Sequence, residues 1–137
     1  MKMNTKVRYG LRAMLAINKH TTTSGILQKE ISAVEDIPLK YLDTIISGLR
    51  NAGLIMNFSG KRSGYVLSRD EHDISVYDVY RAFEPEIALA NCTCPNCAQN
   101  HECLTRNYWL NLNNNIEGWM KSSTLDKLTV HTQTIKN

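Results

Sequence analysis

Along the first half of the chain the apolar residues recur at helical spacing. Thr5 can cap a helix running to about His20, on which Val7, Leu11, Met14, Leu15 and Ile17 fall near one face. The polar run TTTSG at 21–25 breaks it. Leu27 to Val34 then reads as a short helix with Leu27 and Ile31 inward. Glu35-Asp36 is a polar turn leading to Pro38, which suits the first position of a new helix. Leu39, Leu42, Ile45, Ile46 and Leu49 stripe that helix, and Gly53 sits where it should stop. Two helices of this size with a tight turn between them predict a helix-turn-helix.

The period then changes. Leu54 to Phe58 and Tyr65 to Leu67 are short β-prone runs around Ser59-Gly60-Lys61-Arg62-Ser63-Gly64, a pattern that predicts a hairpin with a doubly basic tip. Ser75 to Phe83 returns to helix, with Ile74, Val76, Val79 and Phe83 on or near one face and Ser75 or Asp73 as cap. A longer helix from Leu104 to about Lys121 carries Tyr108, Trp109, Leu112, Ile116, Trp119 and Met120, a generous aromatic surface. Ser122-Ser123-Thr124 caps a last short helix, and the tail from Thr132 is expected to fray. The expected fold class is mainly α with a small β-hairpin wing. A winged helix-turn-helix occupies residues 1–83 with 75–83 as its supporting helix, a cysteine-rich loop occupies 84–103, and a long helix and a terminal short one occupy 104–137.

At 137 residues the chain is long enough to bury a core without disulfides. It contains no run of eighteen apolar residues, and MKMNTKVRYG turns amphipathic at once, so the reading is a soluble cytoplasmic protein without a membrane partner. The net charge of +3 hides an asymmetry: residues 1–62 hold ten Lys or Arg against four Asp or Glu, and residues 63–137 hold six against nine. The first half is therefore the candidate polyanion-binding half, a solvated basic face being the alternative.

A helix, a helix-turn-helix and then a hairpin is the order of a winged-helix module, in which the second helix of the pair enters the major groove of double-stranded DNA. With its apolar stripe inward, that helix leaves Lys40, Tyr41, Thr44 and Ser47 near its outer face. Lys40 suits a phosphate or guanine, Thr44 a base edge or thymine methyl, and Tyr41 a phosphate. Asp43 would repel phosphate, so it is either solvent-facing or a cytosine reader. Lys61 and Arg62 suit the minor groove or its flanking phosphates, and Lys6 and Arg8 the backbone beside them. The plainer alternative is a helical domain with an incidental hairpin.

All four cysteines lie within twelve residues, as C-x-C-x2-C-x5-C from Cys92, Cys94, Cys97 and Cys103. Thiolates are soft ligands for zinc or an iron-sulfur cluster, and a reducing compartment disfavours a structural disulfide. Only Cys94-x2-Cys97 forms a zinc-type knuckle, so a compact loop wrapping one side of a cluster fits better than a zinc site; a thiol switch is the other candidate. His101 is a weak nitrogen ligand in the same loop.

The segments TKVRYGLRAMLAI, IPLKYLDTIISGLRNAGLI, GKRSGYVLSRD, ISVYDVYRAFE and CLTRNYWLNLNNNIEGWMKSSTLDKL run in order from Thr5 to Leu128. Together they resemble the IscR, NsrR and CymR group of bacterial winged-helix regulators, the Rrf-two family. The resemblance implies a homodimeric transcription factor on a palindromic operator, dimerised through the long helix, with Tyr108, Trp109, Leu112, Ile116 and Trp119 facing the partner. In cluster-holding members three cysteines of this loop bind iron and sulfide with a variable fourth ligand. Cys97 and Cys103 match the second and third cysteines; Cys92 or Cys94 takes the first position. Some relatives supply a histidine three residues after the last cysteine, here Arg106, and others an acid from the partner's first helix, here Arg8. Cys94 could then complete an all-cysteine site, with His101 or an exogenous ligand as fallback, around a [2Fe-2S] or [4Fe-4S] cluster. The expected function is a DNA-binding regulator that senses iron-sulfur, redox or nitric oxide status. A cluster-free thiol-sensing regulator is the alternative, and a metal- or cluster-carrying protein that does not bind DNA ranks below it. No nucleophile with a base and an orienting group can be assembled, so no enzyme is expected.

Overall fold

Helix α1 (Thr5–Lys19) is capped by Asn4 rather than by Thr5: the Asn4 backbone is extended and its side chain accepts the Lys6 N–H at 2.8 Å. This computed structural model describes residues 2–20, 24–58, 64–90 and 104–129. Helix α2 (Gln28–Glu35) starts one residue later than expected, with the Leu27 N–H donating to the Glu30 carboxylate at 2.9 Å. At Asp36 the chain takes a left-handed turn (φ 53°), which a short polar side chain tolerates. The Ser32 hydroxyl donates to the Ile37 carbonyl at 2.6 Å across that turn. Helix α3 (Leu39–Asn51) follows, with Pro38 as the flanking extended residue and not the first helical one. Two stripe residues depart from expectation: Leu27 is 37% exposed and Leu39 50% exposed. Both sit at helix starts, where the stripe runs past the end of the core. Ile31, Leu42, Ile45, Ile46 and Leu49 are buried as the spacing requires.

The hairpin is real but shorter than the β-prone runs. Strand β1 (Ile55–Asn57) pairs antiparallel with β2 (Tyr65–Leu67), Ile55 opposite Leu67. Ile26 forms a bridge to Tyr65 on the outer side of β2, through Ile26 N–H to the Tyr65 carbonyl at 3.1 Å and Tyr65 N–H to the Ile26 carbonyl at 2.7 Å. The wing is thereby tied to the segment that leads into α2. Its tip, including Lys61 and Arg62, lies outside the described residues.

Helix α4 (Val76–Phe83) is capped by Ser75, whose hydroxyl accepts the Asp78 N–H at 3.1 Å while the Asp78 carboxylate accepts the Ser75 N–H at 2.9 Å. Its last residue, Phe83, fits between α1 and α3. A Cβ added at Gly10 would stand 2.6 Å from the Phe83 ring, and one at Gly48 2.4 Å from it. Ala is the better helix former by about 1 kcal/mol. Gly48→Ala is nevertheless expected to destabilise by about 1–3 kcal/mol, because the ring is pinned on the far side by Gly10 and cannot withdraw. Urea denaturation checks this, and adding Phe83→Leu should recover part of the loss.

Helix α5 (Arg106–Ser122) begins two residues beyond Leu104, which is 99% exposed. Beyond it the chain turns back: Thr124 bridges Ser75, the Leu125 N–H donates to the Ile74 carbonyl at 3.0 Å, and Leu125 is fully buried among Ile74, Val79 and the α1 core. A helical turn at 125–129 follows. A 3-10 turn, Glu71–Asp73, which periodicity did not signal, places His72 between two acids, with Nδ1 2.5 Å from Asp70 and Nε2 3.6 Å from Asp126 of the terminal turn. The hydrogen bond with Asp70, then the Asp126 charge, raises the His72 pKa. Hydrogen bonds from His72 lower Asp70; for Asp126 the hydrogen bond from Thr124 and then the His72 charge do so. The histidine contribution is complete below the ordinary imidazole value and disappears as pH rises through the raised one. The carboxylate contributions are complete above their ordinary value and disappear as pH falls through the lowered ones. The thermal-midpoint gap between wild type and His72→Gln is therefore expected to be widest at about pH 5 to 6, to close on alkalinisation, and to shrink in high salt because the groups are exposed.

Candidate nucleic-acid interface and cysteine loop

Helix α3 divides cleanly. From Leu42 onward its stripe is buried, and Lys40, Asp43, Thr44 and Ser47 are exposed on the opposite side. Tyr41 is half-buried rather than free: its ring meets Tyr9 of α1 edge-on at 5.4 Å and 78°, and the Arg12 guanidinium stands 5.3 Å above Tyr9. Arg12 also pairs with Glu35 at 3.3 Å, so the crossing of α1 with the helix-turn-helix is held by an aromatic and ionic stack. Asp43 is neither simply solvated nor unrestrained, because its carboxylate accepts a hydrogen bond from the amide of Gln28, the first residue of α2. Sequence reasoning passed over Gln28; the available signal was that a helix-turn-helix brings the start of its first helix over the early turns of its second. Arg50, at the other end of α3, lies 5.8 Å over the Tyr65 ring and connects the helix to the wing. Lys6 and Arg8 are exposed at the start of α1.

The cysteine loop enters and leaves this framework at fixed points. Cys92, Cys94, Cys97, Cys103 and His101 themselves lie outside the described residues. On the entry side, Ile87 is buried and the Leu89 N–H donates to Asn113 Oδ1 of α5 at 3.1 Å. Asn113 is itself buried, a position its polar side chain occupies because it satisfies that backbone donor. Asn113→Ala should cost about 1–3 kcal/mol by orphaning the Leu89 N–H, and limited proteolysis should cut faster between 84 and 104. On the exit side, Arg106 has a buried Nε without a hydrogen-bond partner among the described residues. Arginine offers no lone pair to a metal, so neither Arg106 nor Arg8 can serve as a ligand. Among the described residues there is no group of three His, Cys, Asp or Glu placed to hold a metal, and no helix long and apolar enough to cross a membrane.

Along α5, Tyr108 is 62% exposed and Trp119 76% exposed, while Trp109, Leu112 and Ile116 are half-buried. Tyr108 and Trp109 meet edge-on at 5.0 Å.

The sequence matches the Rrf2 family, described as iron-dependent transcriptional regulators, over residues 3–131. It is 30% identical over 137 residues to the HTH-type transcriptional regulator IscR of Vibrio parahaemolyticus, covering 99% of this chain and 82% of that protein. To IscR of Photobacterium profundum it is 33% identical over 129 residues, covering 93% and 75%. The structure resembles CymR (YrzC), the global cysteine regulator of B. subtilis, with a TM-score of 0.80 and 28% identity over 96% of this chain and 98% of that one. It also resembles T. potens IscR, with a TM-score of 0.79 and 26% identity over 100% and 92%. The mostly helical fold with one antiparallel hairpin is the winged-helix architecture of these regulators, which are not enzymes.

Proposed function

The chain belongs to the Rrf2 family of transcriptional regulators, and on that premise we propose that it is a cytoplasmic homodimer that reads a palindromic operator and answers to the state of its cysteine loop. The observation that carries the DNA part is the outer face of α3, on which Lys40 and Thr44 are exposed, together with a wing docked against the entrance to α2. In each half-site Lys40 meets guanine or phosphate and Thr44 a base edge. Lys6, Arg8 and Tyr41 contact the backbone, and Lys61 and Arg62 extend the charge along the flanking groove. Residues 1–83 are the reading unit, 84–103 the sensor, and 104–137 the dimerisation element. Burying Tyr108, Trp109, Leu112, Ile116 and Trp119 against a second copy accounts for an apolar stripe that is exposed at Tyr108 and Trp119 and only half-buried at the other three.

The donor chemistry fits an iron-sulfur cluster. Four thiols are available in one short loop, and the two positions where relatives supply a different fourth ligand are arginines. Cys97 and Cys103, with Cys92 and Cys94 completing the set, would hold it. When bound, such a cluster supplies an iron centre that responds to oxygen, nitric oxide or iron supply. The thiols must lose their protons to bind, and the binding free energy is available to reorganise the segments on either side of the loop. Anaerobic purification followed by visible absorption and iron and sulfide analysis tests this reading: a brown protein with matched iron and sulfide is expected, and a colourless one holding zinc would sink it. The likeness to CymR favours one second reading, a cluster-free thiol sensor. That reading predicts a colourless protein whose DNA affinity changes on oxidation, with the change abolished by Cys97→Ala.

A further inference from the structure

We propose that Phe83 and Glu84 are positioning residues for DNA reading, through which the cysteine loop sets the placement of the recognition helix. The inference rests on the regulator reading above and specifies how its sensor reaches its reading surface. Three observations meet at the end of α4. The Phe83 ring occupies the space between two helical glycines, Gly10 on α1 and Gly48 on α3, so closely that a Cβ at either position would stand within 2.6 Å of it. The adjacent Glu84 carboxylate accepts a hydrogen bond from the side chain of Asn4, the residue that caps α1. Six residues after Phe83, the Leu89 N–H is tied to Asn113 of α5, with Ile87 buried between.

The strap from 83 to 89 therefore grips α1 twice, α3 once and α5 once, and it leads within three residues to Cys92, the first of the four cysteines. A packed interior moves between discrete arrangements rather than deforming smoothly. A pull on this strap therefore translates the Phe83 ring and, with no clearance at Gly48, moves α3. The glycines make the contact stiff; an alanine or larger residue at either site would have kept the ring out. Gly48 faces the Phe83 ring while its neighbour Ser47 is exposed on the outer side of α3, so a shift of the helix at Gly48 carries the reading face with it.

The test compares full-length wild type, Phe83→Leu and Glu84→Ala in two loop states. These are the protein as isolated anaerobically and the same protein after chelator treatment or, where it holds no metal, after diamide oxidation. For each, affinity is measured for the duplex that wild type selects from a random library, and loop state is read independently by visible absorption or thiol titration. Wild type should show a ratio of at least roughly ten-fold between the two states, within the usual range for coupled sites. In Phe83→Leu that ratio should collapse toward one, and in Glu84→Ala it should fall part-way, with the spectrum or thiol count unchanged in both. A wild-type ratio retained in full by a folded Phe83→Leu overturns the positioning role and leaves the sensor reading standing. A wild type with no ratio overturns both. Should Phe83→Leu fail to fold, Glu84→Ala decides, since its half-buried carboxylate is no part of the apolar core, and an unreduced ratio there overturns the proposal.

Discussion

Replacing Gly64 by alanine is expected to cost about 2–4 kcal/mol and to lower the melting temperature by on the order of 10 °C. The reason is backbone on backbone. An added Cβ would stand 2.4 Å from the Gly25 carbonyl carbon and the Ile26 nitrogen, atoms that have no rotamer to retreat into. Gly25 reciprocates by adopting φ 75°, a conformation that an L side chain rarely takes. The two glycines let the chain before α2 come close enough for Gly64 N–H to reach the Ser24 carbonyl at 2.9 Å and for Ile26 and Tyr65 to exchange two hydrogen bonds. Opening that approach stretches or breaks these bonds and frees β2 of the wing. DNA affinity should therefore fall by more than the loss of stability alone would produce at a temperature where the variant is still folded. Urea denaturation and duplex binding measure the two effects. Near-wild-type stability would show that the close approach of 64 to 25 does not govern the wing.

Lys40→Glu is expected to weaken operator binding roughly 30-fold or more, because each half-site of the dimer loses about 1–3 kcal/mol. The slope of log affinity against log salt should flatten by about one for each phosphate that is no longer neutralised. Lys40 is exposed and lies in no ion pair or hydrogen bond of the protomer's described residues, so thermal stability should stay within about 0.5 kcal/mol of wild type. The separation of the two readouts makes the variant informative. An unfolded protein would lose both together, and an unchanged affinity would remove α3 as the reading surface.

How far each feature was legible in the sequence follows from the range of the interaction behind it. Helices α1, α3 and α4 announce themselves because each buries one face, and burial imposes a period on the chain. The error at Leu39 has the same origin: a stripe continues into the first helical turn whether or not the core reaches it. Capping by Asn4 in place of Thr5 is a one-residue ambiguity between two competent side-chain acceptors. The wing was visible from its glycines and short β-prone runs, whereas the bridge from Ile26 was not, since it joins residues thirty-nine positions apart. The same limit hid the Gln28–Asp43 hydrogen bond, the Phe83 ring between Gly10 and Gly48, and the Leu89–Asn113 tie. In each, one partner looks ordinary until the fold brings the other to it. Glycine inside a helix was the one available hint, since Gly10 and Gly48 sit where alanine would be the better helix former. The cysteines of the loop lie outside the described residues, so their spacing, and the arginines at the two positions where the family resemblance implies other ligands, stand as sequence expectations alone.

The most direct measurement of the central claim is selection of double-stranded DNA from a random library by the purified full-length protein, followed by binding of the enriched duplex over a range of salt. A regulator built as described should enrich two inverted half-sites about one helical turn apart, bind them as a dimer, and lose affinity steeply as salt rises. Recovery of no common sequence, with weak binding that is equal for selected and scrambled duplexes, would contradict it.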